Sequence, residues 1–202
     1  MQNRLIRIML FSTLGVVIAA LFAWQYGFLS PGGRSGTSGI AKIGGPFTLT
    51  DHTGAVKTEK DFHGKLMLIY FGYSYCPDVC PTALQVMSVA VQSLGKKAAD
   101  VTPMFITVDP ERDTVGHLGT YVKNFDPGMI ALTGSAEQVK QAARVYRVYY
   151  RKADPAPGEA PENYLMDHSS VVYLMDREGR YVTHFTHQSP SENIEAALRK
   201  LL

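Results

Sequence analysis

Both cysteines of the 202-residue chain lie in one short stretch, YFGYSYCPDVCP at 70–81, and a proline follows each of them. Two thiols with three residues between them suit a structural disulfide, a redox pair or part of a metal clamp. The prolines narrow the geometry. A residue before proline is disfavoured in the α region, so Cys76 is expected at the strand side of a loop and Cys80 just before a helix starting at Pro81. Both sulfurs then gather at a helix N-terminus, where free N–H groups and the macrodipole favour thiolate over thiol. A bridge between residues four apart closes so short a loop that it restricts the unfolded chain little, which weighs against a purely structural disulfide. Two intervening residues would be the stronger redox signature. With three, the redox and metal readings both stay open.

Two thiolates alone undersupply a soft metal, so a third donor is worth seeking. The six histidines are His52, His63, His117, His168, His184 and His187. The ordinary reading of a lone histidine is a solvated surface residue, and it suits most of these. His168 differs. It sits in NYLMDHSS (163–170), between a proline-rich loop and the next strand, where a thioredoxin fold passes opposite its cysteine loop and thioredoxins carry a proline. Two sulfurs and one imidazole suit Cu(I), which accepts three ligands, better than Zn(II), whose structural sites take four.

These residues need a scaffold. Residues 45–62 read as a hairpin turning at Asp51–Gly54. Lys65–Tyr73 is a continuous apolar run suited to a buried central strand leading into the cysteine loop. Apolar residues at Leu84, Met87, Val91 and Leu94 predict a helix over 81–94, and Val101–Asp109 predicts the next strand, making a right-handed parallel unit. A short helix follows near 110–125. Ser135 and Gln138 form a capping box for a helix to about Val145, and YRVYYR (146–151) alternates as a strand would. KADPAPGEAPENY (152–164) is a loop. SSVVYLMDREGRYVTHF (169–185) is a second hairpin around Asp176–Gly179. Ser189, Pro190 and Glu192 open a last helix, with proline at its first position and glutamate closing a capping box. The expected fold is α/β and thioredoxin-like, with a hairpin added in front.

The N-terminus stands apart from that domain. Arg4 and Arg7 precede an apolar run, Ile8–Trp24 with a weaker extension to Leu29, and no charge follows until Arg34. At about 1.5 Å per residue the run is long enough to cross a membrane. Positive charge ahead of it keeps residues 1–7 in the cytoplasm and sends the rest across. A cleaved signal peptide competes, but no clear Ala-x-Ala follows, and Trp24 and Tyr26 suit interfacial anchors. The expected organisation is therefore a cytoplasmic 1–7, an anchor at 8–29, a Gly/Ser-rich tether at 30–44 and one domain at 45–202. A net charge of +2 with 19% charged residues provides no field to attract nucleic acid.

Three stretches together, YFGYSYCPDVCP at 70–81, TVDPERDT at 107–114 and DHSSVVYLMDREGRYV at 167–182, resemble the Sco/SenC family of membrane-anchored copper proteins needed to assemble cytochrome c oxidase. The resemblance implies copper ligands at Cys76, Cys80 and His168, with Cu(I) held and Cu(II) as a second form. It places Asp78, with Asp167 beside His168, as supporting residues around the ligands. Tyr75 departs from the pattern, since many members carry histidine there. The implied role is a chaperone, single-pass in a bacterial inner membrane with its C-terminal domain in the periplasm. It would deliver copper to the dinuclear site of oxidase subunit II, with other copper carriers or thiol reductants as further partners. The alternative is a thiol–disulfide oxidoreductase that reduces the recipient's cysteines, with Cys76 and Cys80 as the redox pair. A peroxidase-like redoxin needs a cation near its thiolate, and no Lys or Arg lies between Lys65 and Lys96. A plain protein-binding module leaves the bracketed cysteines unexplained.

Overall fold

The central strand explains the rest of the architecture. All seven residues of β3 (Leu66–Gly72) are buried, as expected for a strand covered on both faces. It pairs parallel with β4 (Val101–Thr107) and antiparallel with β8 (Val171–Met175). The structure, a computed structural model, describes residues 42–154, 158, 160 and 162–202 together with Phe22. The anchor over 8–29 and most of the tether over 30–44 lie outside the described residues, as does part of the proline-rich loop. Among the described residues no helix is long and apolar enough to cross a membrane.

The main sheet runs, in order, β2 (Val56–Thr58), β1 (Thr48–Asp51), β5 (Ile130–Thr133), β4, β3, β8 and β9 (Tyr181–Thr186). β1 (Thr48–Asp51) and β2 (Val56–Thr58) are the predicted hairpin. Its turn closes where Asp51 Oδ1 accepts from the Thr53 and Ala55 amides and Gly54 supplies φ +92°. The hairpin joins the sheet through β5 (Ile130–Thr133), against which β1 runs antiparallel. Helix α1 (Val79–Gln92) carries the chain from β3 to β4, and α2 (Val115–Tyr121) carries it from β4 to the parallel β5. β8 and β9 (Tyr181–Thr186) form the second hairpin, and α4 (Ser191–Arg199) packs on α1. This is the expected thioredoxin-like α/β arrangement.

Helix α3 (Ala136–Val145) has the predicted capping box, with the Gln138 amide donating to Ser135 Oγ and the Ser135 amide to Gln138 Oε1. Its other end corrects the sequence reading. YRVYYR does not start as a strand, because Arg147 turns left-handed (φ +58°). The Arg147 amide bonds the Arg144 carbonyl and the Val148 amide bonds the Ala143 carbonyl, a Schellman closure without its usual glycine. Strand β6 (Tyr150–Lys152) begins only after it and pairs with β7 (Met166–His168) in a separate two-stranded sheet that the sequence pattern did not suggest. The last helix is also shifted. Pro190 is its N-cap rather than its first residue, and the capping box is absent, because Ser189 Oγ instead accepts from the Thr186 amide at the end of β9.

Candidate metal centre

The cysteine loop leaves β3 at Gly72 and enters α1 at Val79. Cys80 therefore lies in the first turn of α1, not just before it. Proline is tolerated one residue later because the first amides of a helix have no intrahelical partner, so Pro81 forfeits no bond. Asp78 is the N-cap, but its exposed carboxylate makes no capping hydrogen bond. What Asp78 contributes is its backbone amide, which donates to Cys76 Sγ. The Cys80 amide donates to the same sulfur at 3.4 Å. Two helix-terminal N–H groups thus converge on Cys76, as the thiolate argument requires.

Both thiols are free. Cys76 is partly exposed and Cys80 is buried, at 0% exposure. Cys80 Sγ fits only because position 72 has no side chain, since a Cβ there would lie 2.9 Å from it. The Cys80 thiol hydrogen-bonds to Cys76 and holds it well below the usual thiol range, helped by the two amides. Sharing that bond, and then its burial, pushes Cys80 in the opposite direction. Cys76 is the thiolate of the pair and Cys80 the thiol.

His168 is brought to this pair by β7. Alternation along the strand turns Met166 and His168 inward and Asp167 outward. His168 Nε2 stands 3.4 Å from Cys80 Sγ. Its Nδ1 lies 3.2 Å from the Ser169 carbonyl, which can only accept, so Nδ1 carries the proton and Nε2 presents its lone pair. The rings of Tyr70 and Tyr73 meet the imidazole edge-on, at 6.0 and 5.8 Å between centroids. Tyr70 OH also donates to Cys80 Sγ at 3.8 Å. Asp167 is turned away from the sulfurs and pairs with Arg151 at 2.8 Å, a solvent-exposed pair of small energetic weight.

Among the described residues no three His, Cys, Asp or Glu side chains stand as a preformed metal cluster. The cysteine and imidazole groups meet at hydrogen-bond range. Donors each about 2.0–2.3 Å from one ion in a trigonal site are about 3.5–4 Å apart, so the 3.4 Å between Cys80 Sγ and His168 Nε2 needs little adjustment to share a metal. Two soft sulfurs and a neutral imidazole fit copper.

Sequence reasoning missed what braces the loop. Asp113, fully buried, accepts from the Ser74 amide at 3.1 Å, from the Ser74 hydroxyl and from Thr107 Oγ1 at 2.6 Å, tying the loop to the end of β4. Ser74 Oγ also lies 2.8 Å from His117 Nε2, and the His117 ring stacks on Tyr75 at 5.1 Å. The signal was the TVDPERDT motif, which carries Thr107 and Asp113 but no stated role. His117 carried no signal.

The SCO1/SenC family model matches residues 35–202. Human mitochondrial SCO1 homolog is 44% identical over 158 residues, covering 77% of this chain and 52% of its own length. An SCO2-like protein of Rickettsia prowazekii is 44% identical over 144 residues, covering 71% and 69%. The chain thus spans about half the length of the human relative. Among solved structures, Bradyrhizobium japonicum ScoI with copper bound superposes with a TM-score of 0.72 at 43% identity, covering 79% of this chain and 99% of that one. Yeast Sco1 with copper bound gives 0.68 at 37%, covering 80% and 91%.

Proposed function

The chain belongs to the SCO1/SenC family, and on that premise we propose that it is a copper-binding chaperone for cytochrome c oxidase assembly, with Cys76, Cys80 and His168 as copper ligands. The observation that carries this reading is the 3.4 Å approach of His168 Nε2 to Cys80 Sγ beside a Cys76 sulfur already accepting two helix amides. Copper supplies a soft acceptor whose ligands exchange readily. The residues of this chain do the rest. Cys76 offers a thiolate at the partly exposed side, Cys80 closes the buried side, and the Nδ1 proton fixes the imidazole so that Nε2 faces the sulfurs. Cu(I) is the form this donor set suits best, with Cu(II) as a second form. The recipient is the dinuclear copper site of oxidase subunit II. The anchor at 8–29 holds the chain in a bacterial inner membrane with the domain in the periplasm, a reading supported by Arg4 and Arg7 ahead of the apolar run.

Equilibrium copper titration of the purified, reduced protein tests the ligand set. One copper per chain is expected for the wild type, and loss of that binding for the Cys76→Ser, Cys80→Ser variant; unchanged binding in the variant refutes the reading.

The asymmetry of the two thiols favours a companion role in disulfide exchange. The Cys76 thiolate attacks a recipient disulfide and forms a mixed disulfide. Cys80, after losing its proton, then attacks Cys76 Sγ, releasing the recipient dithiol and leaving a Cys76–Cys80 bridge. His168→Ala separates the roles: copper binding should weaken while disulfide exchange persists. The opposite outcome would reverse the assignment.

A further inference from the structure

The two limbs of the site, the cysteine loop and β7, are joined by a residue outside both. Among the described residues strand β7 pairs only with the three-residue β6, and an isolated two-stranded sheet is marginal in water, so His168 needs support from elsewhere. Arg112 stands where such support would act. Its guanidinium carbon lies 3.6 Å from the Tyr164 ring centroid and 4.7 Å from that of Tyr75. Tyr164 lies four residues before His168, and Tyr75 is next to Cys76. Arg112 Nε donates to Asp109 Oδ2 at 2.5 Å, while Asp109 Oδ1 accepts from Tyr164 OH at 2.9 Å. Nη1 reaches the Glu162 carbonyl at 3.4 Å. The same guanidinium is 5.8 Å from the ring of Tyr73, which is edge-on to the imidazole. Among the described residues its buried Nη2 has no hydrogen-bond partner, a cost that filling space alone would not justify.

We propose that Arg112 is a positioning residue that holds the His168 limb against the cysteine limb, so that the imidazole is in place before copper arrives. The inference rests on the copper reading above. Lysine keeps the charge but has neither the plane nor the fork. If the limb is then in place about a tenth of the time, apparent affinity falls about tenfold, and that loss exists only while His168 is a ligand. Chelator-competition titrations with Cu(I) on the wild type, R112K, H168A and the double variant read this directly. The expected result is a loss of about tenfold for R112K alone and no further loss when R112K is added to H168A. The thiolate–Cu(II) charge-transfer band of R112K should shift toward that of H168A. Tyr164→Leu, which removes one stacking ring, should reproduce the pattern and serves if R112K does not fold. Equal affinities of wild type and R112K, or losses that add in the double variant, overturn the strut. Equal affinities of wild type and H168A overturn the ligand assignment, and the strut with it.

Discussion

Substituting Gly72 by alanine tests how tightly the end of β3 is fitted to the sulfur behind it. A Cβ at 72 would lie 2.9 Å from Cys80 Sγ, 2.8 Å from a Tyr70 ring carbon and 3.1 Å from a Phe105 ring carbon. Ordinary contacts of this kind are about 3.5–4.0 Å, so each neighbour must retreat by about 0.5–1 Å. None has room, since Tyr70, Cys80 and Phe105 are all at 0% exposure. The backbone cannot yield easily either, because the Gly72 carbonyl accepts from the Val108 amide at 2.8 Å and Gly72 is in register with Thr107. Overpacking of this kind costs about 1–3 kcal/mol, and the absence of slack puts Gly72→Ala at about 2–3. At about 2–4 °C per kcal/mol for a chain of this size, the melting temperature should fall by about 4–12 °C. Cys80 Sγ is the neighbour at the site, so copper affinity should fall with it. Gly116→Ala is the control: its Cβ meets nothing within 4 Å and it lies within α2, where alanine should stabilise by up to about 1 kcal/mol. Thermal melts followed by circular dichroism, with copper titration of each variant, read both effects. A Gly72→Ala protein that melts with the wild type and binds copper as tightly would refute the close packing inferred at this strand end.

Two other perturbations bear on the thiols and their brace. Because Cys76 is held below the ordinary thiol range, its alkylation by iodoacetamide should stay fast as pH falls well under the usual thiol value of about 8.5, while Cys80 stays protected; a Cys76 profile with its midpoint at the ordinary value contradicts the assignment. The sign is that of a depressed acid: the thiolate's stabilising bonds are fully present above the unfolded pKa and are lost as pH falls through the folded one. Asp113→Ala leaves the Ser74 amide and Thr107 hydroxyl without their acceptor, about 2–6 kcal/mol at 1–3 per unsatisfied group, whereas Asp113→Asn keeps one oxygen for them and should cost less; urea denaturation distinguishes the two.

The pattern of apolar runs was enough to place β3, α1, β4 and the second hairpin, because burial on a repeating period is written locally. The convergence of Cys76, Cys80 and His168 was also legible, from the prolines bracketing the thiols and the position of the histidine ahead of β8. The Schellman turn at Arg147 was not, since its usual marker is glycine and arginine stands there. The start of α1 was placed two residues too late, at Pro81 instead of Val79, because the preference against helix before proline is weaker than the freedom of a helix's first turn. Arg112, Asp113 and Tyr164 escaped because their roles arise only when three distant segments meet. The absence of Lys and Arg between Lys65 and Lys96 suggested a site without a nearby cation, yet folding sets Arg112 over Tyr75.

The unequal exposure of the two thiols bears on chemical durability. An accessible thiolate is the first target of peroxide, and a sulfenic acid left alone proceeds to irreversible acids. Here the oxidised atom would be Cys76 Sγ, and the sulfur it touches first is that of Cys80, sealed from the oxidant but within hydrogen-bonding reach. Condensation of the two expels water and yields a disulfide, which a dithiol can reverse. Burying one thiol behind the other turns the site's most vulnerable atom into one whose first injury is repairable.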